Sequence, residues 1–182
     1  MRRKSTSQLD INTKIENLES LSLPGDAEGA DIKFAEGSPM QLNSDGTKFI
    51  PLGGDTGQVA FVNFVDEDRA DAKMLQGDPF QGQLAARSTE GGRLTGIRGN
   101  GVVIGVPLWL FDTTVSVGDG VGADATTVSV DGQDYAGWTT KTSNFTLTQG
   151  GTAGLAVYGQ VERIANGKAY FAFFGLPSIT SA

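Results

Sequence analysis

The densest group of chemically capable side chains in the sequence is Asp66-Glu67-Asp68, with Arg69 beside it and Asp71 close behind. Hard cations such as Ca²⁺ take oxygen ligands, so the carboxylates admit an ion site on chemical grounds. The spacing argues otherwise. The Asp-x-Asn-x-Asp-Gly run and distal Glu of an EF-hand loop are missing, and consecutive residues point different ways. The group reads as a solvated acidic loop, with Asp66, Glu67, Asp68 and Arg69 as candidate surface contacts.

Other chemistries fail on missing partners. Gly118-Asp119-Gly120-Val121-Gly122 has the look of a phosphate loop, but no Lys-Ser/Thr follows it. It also lacks the third spaced glycine of a dinucleotide fingerprint, and reads as a flexible turn, as does Gly99-Asn100-Gly101. The chain has no His and no Cys, which excludes disulfides, thiolate metal sites, Cys nucleophiles and His-based triads. A serine nucleophile would need a lysine base, and no Ser-x-x-Lys occurs. Two carboxylates could hydrolyse a glycoside, but among 21 acidic residues some pair is always close by chance. Trp109, Trp138, Tyr135 and Tyr158 could form a sugar platform on a β-sandwich, the basis of an alternative carbohydrate-binding or host-attachment role. Packing in a core or subunit interface is the commoner fate of such rings. Asn144-Phe145-Thr146 matches a glycosylation sequon, discounted for want of a secretory signal. No catalytic residue, cofactor or metal ligand is expected.

Composition agrees. Of 182 residues 38% are hydrophobic and 19% charged, enough for a packed core. Glycine, at 26 residues, is about twice its usual share. The net charge is −7, and without Arg2, Arg3 and Lys4 the remainder stands at −10. Such a body repels nucleic acid, whose binding depends on phosphate neutralisation. No apolar run approaches the roughly 20 residues that cross a bilayer. Ser5, Thr6, Ser7, Gln8 and Asp10 stand where a secretory signal needs an apolar stretch, so synthesis in a cytoplasm is expected.

The elements that must position these residues fall into two parts. Residues 1–24 read as an N-terminal arm, helical or extended. Ile11, Ile15 and Leu18 share one face at helical spacing with Leu21 close by, and Pro24-Gly25 ends any helix. From residue 25 to 182, short β-branched and aromatic runs alternate with Gly, Asn and Asp turns. Ser44-Asp45-Gly46, Asp131-Gly132 and above all Asn166-Gly167 are hairpin signals. Strands are expected at Val59–Val65, Gln81–Arg87, Val102–Phe111 and Phe145–Thr148, with Pro107 at an edge, bulge or strand end. Asp66–Leu75 reads as a loop or one helical turn, and Val115–Gly122 as a loop. The fold class is all-β, an antiparallel β-barrel or β-sandwich, with residues 114–149 as a candidate inserted β subdomain.

The order of these segments resembles the head-decoration, or capsid cement, proteins of tailed double-stranded DNA bacteriophages. Three stretches carry the resemblance: Glu36–Leu42 with Asp45-Gly46; Val62–Asp71 with Leu75-Gln76-Gly77 and Gln81-Gly82-Gln83; and Ala156–Glu162 with Asn166-Gly167 and the run to Phe174. Residues 115–149 match no family segment. The resemblance implies a non-enzymatic structural protein on the outer capsid surface of a virion. It implies the major capsid protein as partner and self-association, as a homotrimer or alternatively a dimer. It gives the chain the task of stabilising the expanded shell by bridging capsid subunits. The arm is then the reaching part, through Arg2, Arg3, Lys4, Leu9, Ile11, Ile15, Leu18 and Leu21. Burying its apolar stripe at roughly 1.5–3 kcal/mol per side chain would offset the entropy of ordering it.

Overall fold

The computed structural model describes residues 10–11, 18–24, 32–53, 59–64, 93–123, 125–141 and 157–175. They form strands and no α-helix. In chain order the strands are β1 (Asp10–Ile11), β2 (Leu18–Pro24), β3 (Ile32–Lys33), β4 (Pro39–Leu42), β5 (Phe49–Pro51), β6 (Phe61–Phe64) and β7 (Arg93–Pro107). After a 3-10 turn at Leu108–Leu110 come β8 (Gly120–Gly122), β9 (Thr127–Val130), β10 (Gln133–Ala136), β11 (Thr139–Lys141), β12 (Gly159–Ala165) and β13 (Lys168–Phe174).

The 15-residue β7 organises the molecule. Its first half pairs with β2 on one edge, from Leu18↔Gly99 to Pro24↔Arg93, and with β6 on the other. Its second half pairs with β1 and β13. Where β13 ends, Gly175 donates to the Gly99 carbonyl (3.0 Å) and Ala60 donates to the Gly175 carbonyl (2.7 Å), so β13 and β6 meet end to end along one edge. The large sheet runs β11-β8-β12-β13-β7-β6-β4-β5, with β1 and β2 on β7. A smaller sheet, β3-β10-β9, is antiparallel at β9–β10 and parallel at β3–β10. The strand path does not return to its start, so the all-β body is sandwich-like rather than a closed barrel.

Alternation drives the burial. Val102, Ile104 and Val106 of β7 face a core with Val121, Trp138, Tyr158, Val161, Phe171 and Phe173. Phe34, Met40, Phe49, Phe61, Leu94 and Ala136 make a second cluster. All three hairpin signals form. Asp131-Gly132 (φ 51° and 77°) joins β9 to β10, and Asn166-Gly167 (φ 52° and 72°) joins β12 to β13. Two successive positive φ angles match the right-handed strand twist, which is why Asn-Gly and Asp-Gly serve there. Ser44-Asp45-Gly46 lies between β4 and β5. Pro107 closes β7, where its missing donor costs no ladder bond.

Several expectations change. Of the two readings of residues 1–24, the described parts take the extended one. An isolated helix of this length is marginal in water, whereas the edge of β7 supplies a hydrogen-bonding partner along residues 93–99. Leu21 and Leu23, two apart on one strand face, pack against the second core cluster of the same chain. The helical face of Ile11, Ile15, Leu18 and Leu21 is therefore not formed: Ile11 lies in β1, Leu18 and Leu21 in β2, and Ile15 outside the described residues. Gly99-Asn100-Gly101 is not a turn. Pairing with Leu18 and Phe174 draws it into β7, and Gly101 (φ 77°) with a register shift at Phe173/Phe174 takes up the bend. The loop expected at Val115–Gly122 ends as β8, because backbone pairing with β11 and β12 overrides the low strand propensity of glycine. Among the described residues of 114–149, Val121, Ala123, Tyr135 and Trp138 belong to the main core cluster. The expected strands at Gln81–Arg87 and Phe145–Thr148, and the acidic stretch Asp66–Leu75, lie outside the described residues.

Candidate functional site

Of the arm residues, Arg2, Arg3, Lys4, Leu9 and Ile15 lie outside the described residues, as do Asp66, Glu67, Asp68 and Arg69. Ile11, Leu18 and Leu21 are brought together on one edge of β7. Leu21 is half-buried against its own core.

The aromatic candidates resolve into interior packing. Trp138 and Tyr158 are fully buried and Tyr135 nearly so. Trp138 meets the rings of Phe171 and Phe173 edge-on, with centroids 5.8 and 6.3 Å away. Its Nε1 donates to the Gly37 carbonyl at 2.8 Å. Trp109, half-buried on the 3-10 turn, meets Tyr135 edge-on at 5.5 Å. Trp138, Tyr158 and Tyr135 therefore do not offer the flat exposed face that sugar stacking requires. Burial pushes the Tyr158 hydroxyl up to about 12. Burial, then the neighbouring charge of Asp131, raises that of Tyr135. Both phenols stay protonated and unreactive near neutrality.

The strongest polar arrangement is a brace around residues 34–38, which joins the two sheets. Ser38 donates its hydroxyl to the Ala136 carbonyl (2.7 Å) and accepts the Ala35 N–H (2.9 Å). Asn63, buried in β6, donates its side-chain Nδ2 to the Ala35 carbonyl (3.0 Å), while its backbone carbonyl accepts the Gly37 N–H (2.8 Å). Sequence reasoning passed over both residues. The available signal was an amide inside the otherwise apolar Val59–Val65: a buried side chain with two donors implies buried acceptors nearby.

The described carboxylates do not converge. Asp119 is buried and closes a turn by accepting the Ser116 N–H at 2.8 Å. Glu36 is buried and partnered. Asp45, Asp112, Asp131, Asp134 and Glu162 are exposed. Among the described residues no three potential metal ligands gather, and no helix is long and apolar enough to cross a membrane. The exposed large apolar side chains among them are Val117, Ile164 and Phe174. What the arrangement provides is a two-sheet body braced by buried Ser38, Asn63 and Trp138. No family model, curated protein or solved structure matches the chain.

Proposed function

We propose that this chain is a structural protein of a tailed-phage virion, binding the outer surface of the capsid and stabilising the expanded shell by bridging major capsid subunits. The observation that carries the reading is the common location of the three family-like stretches. Glu36–Leu42 with Asp45-Gly46 contributes β4 and its turn, Val62–Asp71 contributes part of β6, and Ala156–Phe174 contributes β12 and β13, all in one sheet. The interior use of Trp138, Tyr158, Ser38 and Asn63 is consistent with a protein that acts by fitting a surface.

Leu21 and Leu23 pack against this chain's own core, and the proposed contact with capsid subunits is therefore sought first in the residues before β1, with Arg2, Arg3, Lys4 and Leu9 as the candidates. Removing residues 1–24 would strip β2 from β7 and confuse loss of contact with loss of fold. The test is therefore co-sedimentation with expanded heads assembled without this protein, comparing the full chain with a chain lacking residues 1–9. Binding that weakens at least about tenfold on truncation, with the thermal midpoint unchanged, supports the assignment. Undiminished binding removes Arg2, Arg3, Lys4 and Leu9 from the contact, and failure of the full chain to bind overturns the function. Symmetry in particle images reports whether copies associate as trimers or dimers.

A further inference from the structure

We propose that Asn166 is a site of spontaneous deamidation, selected by the fold over a second Asn-Gly pair in the same chain. The reaction needs only water. The Gly167 backbone nitrogen attacks Asn166 Cγ, forming a C–N bond; the Cγ–Nδ2 bond breaks and ammonia leaves. Water then opens the five-membered succinimide at either carbonyl, giving aspartate or isoaspartate at position 166. Glycine on the C-terminal side matters because no Cβ shields the attacking nitrogen.

Two pairs meet that local requirement, Asn100-Gly101 and Asn166-Gly167. Their surroundings differ. Asn166 and Gly167 are both exposed at the tip of the β12–β13 hairpin, and a Cβ built on Gly167 meets nothing within 4 Å. Among the described residues neither the Asn166 side chain nor the Gly167 N–H makes a hydrogen bond; the tip is held by the Gly167 carbonyl, which accepts the Leu108 N–H at 2.9 Å. Only that tether and the closing pair Ala165↔Lys168 must loosen for the nitrogen to swing toward Cγ. Asn100 instead sits inside β7, paired with Phe174 and next to Gly99, which is paired with Leu18 and accepts the Gly175 N–H at 3.0 Å. The Phe174 ring lies 3.4 Å from a Cβ built on Gly101. Attack there requires opening the sheet, and hairpin tips open at far lower cost than paired strands.

Each event adds one negative charge to a chain already at −7. The isoaspartate product adds a methylene to the backbone of a two-residue loop whose length sets the β12–β13 register. The test ages the intact protein in warm, mildly alkaline buffer and follows both peptides by mass spectrometry, with a parallel sample unfolded in urea. In the native sample Asn166 should convert at least about fivefold faster than Asn100, and in urea the ratio should fall to about one. A native ratio below that, or an equally large ratio in urea, overturns the proposal.

Discussion

Replacing Trp138 by Phe separates the brace between the sheets from general core packing. The indole is wholly buried, and its Nε1 is the donor to the Gly37 carbonyl at 2.8 Å. Phenylalanine keeps a ring beside Phe171 and Phe173 but removes the donor. An acceptor left buried without a partner costs about 1–3 kcal/mol. The unfilled volume of the missing ring adds about 1 kcal/mol. The expected loss is therefore about 2–4 kcal/mol, which at a urea dependence of about 2 kcal/mol per molar lowers the midpoint by about 1–2 M. Trp109→Phe is the control: Trp109 is half-buried and contacts Tyr135 edge-on, a pair worth about 0.5–1.5 kcal/mol that a phenylalanine ring largely keeps, so the expected loss is at most about 1 kcal/mol. Urea unfolding followed by circular dichroism measures both, and a constant slope confirms that the same surface is exposed. Trp109→Phe also leaves Trp138 as the sole indole, so native emission should be blue-shifted and move to the red on unfolding. If Trp138→Phe costs under about 0.5 kcal/mol, the Gly37 bond does not hold the sheets and the reasoning fails.

Asn63→Leu should destabilise by about 1–3 kcal/mol, since it removes a buried donor and leaves the Ala35 carbonyl with the Ser38 N–H alone (3.0 Å); a shift in thermal midpoint below about 2 °C would count against the brace. Gly159→Ala should cost at least about 2 kcal/mol, because its Cβ would stand 2.6 Å from the backbone oxygen of Ala172, whereas Gly132→Ala meets open space and costs about 1 kcal/mol in backbone strain; equal losses in urea melts would refute the distinction. The Tyr158 hydroxyl is raised in the folded state, so between about pH 10 and about pH 12 the unfolded chain releases a proton that the folded chain keeps, and stability falls as pH rises through that window. Tyr158→Phe should flatten part of the fall in thermal midpoint measured across it. Leu23→Ala in β2 should lower stability by about 1–2 kcal/mol, and a neutral result would detach the N-terminal strand from the core.

Amino-acid order alone determined the strand-and-turn character of the body. Asp131-Gly132 and Asn166-Gly167 specify their turns because few residues tolerate positive φ, and alternation in Val102–Val106 specifies which side chains face inward. Those signals act over a few residues and need no partner. Tertiary structure decided the rest. Ile11, Ile15, Leu18 and Leu21 carry helical spacing, yet the described N-terminal residues became strands because β7 offered them an edge far away in sequence. Gly99-Asn100-Gly101 has the same composition as a turn and runs through a strand because neighbours claim its backbone. Gly120–Gly122, with little strand propensity of its own, is a strand for the same reason. Ser38, Asn63 and Trp138 meet only when the two sheets pack, so their joint role was invisible in any local window. Backbone pairing and buried-polar satisfaction depend on which segments become neighbours, and that is a property of the whole fold rather than of any stretch of it.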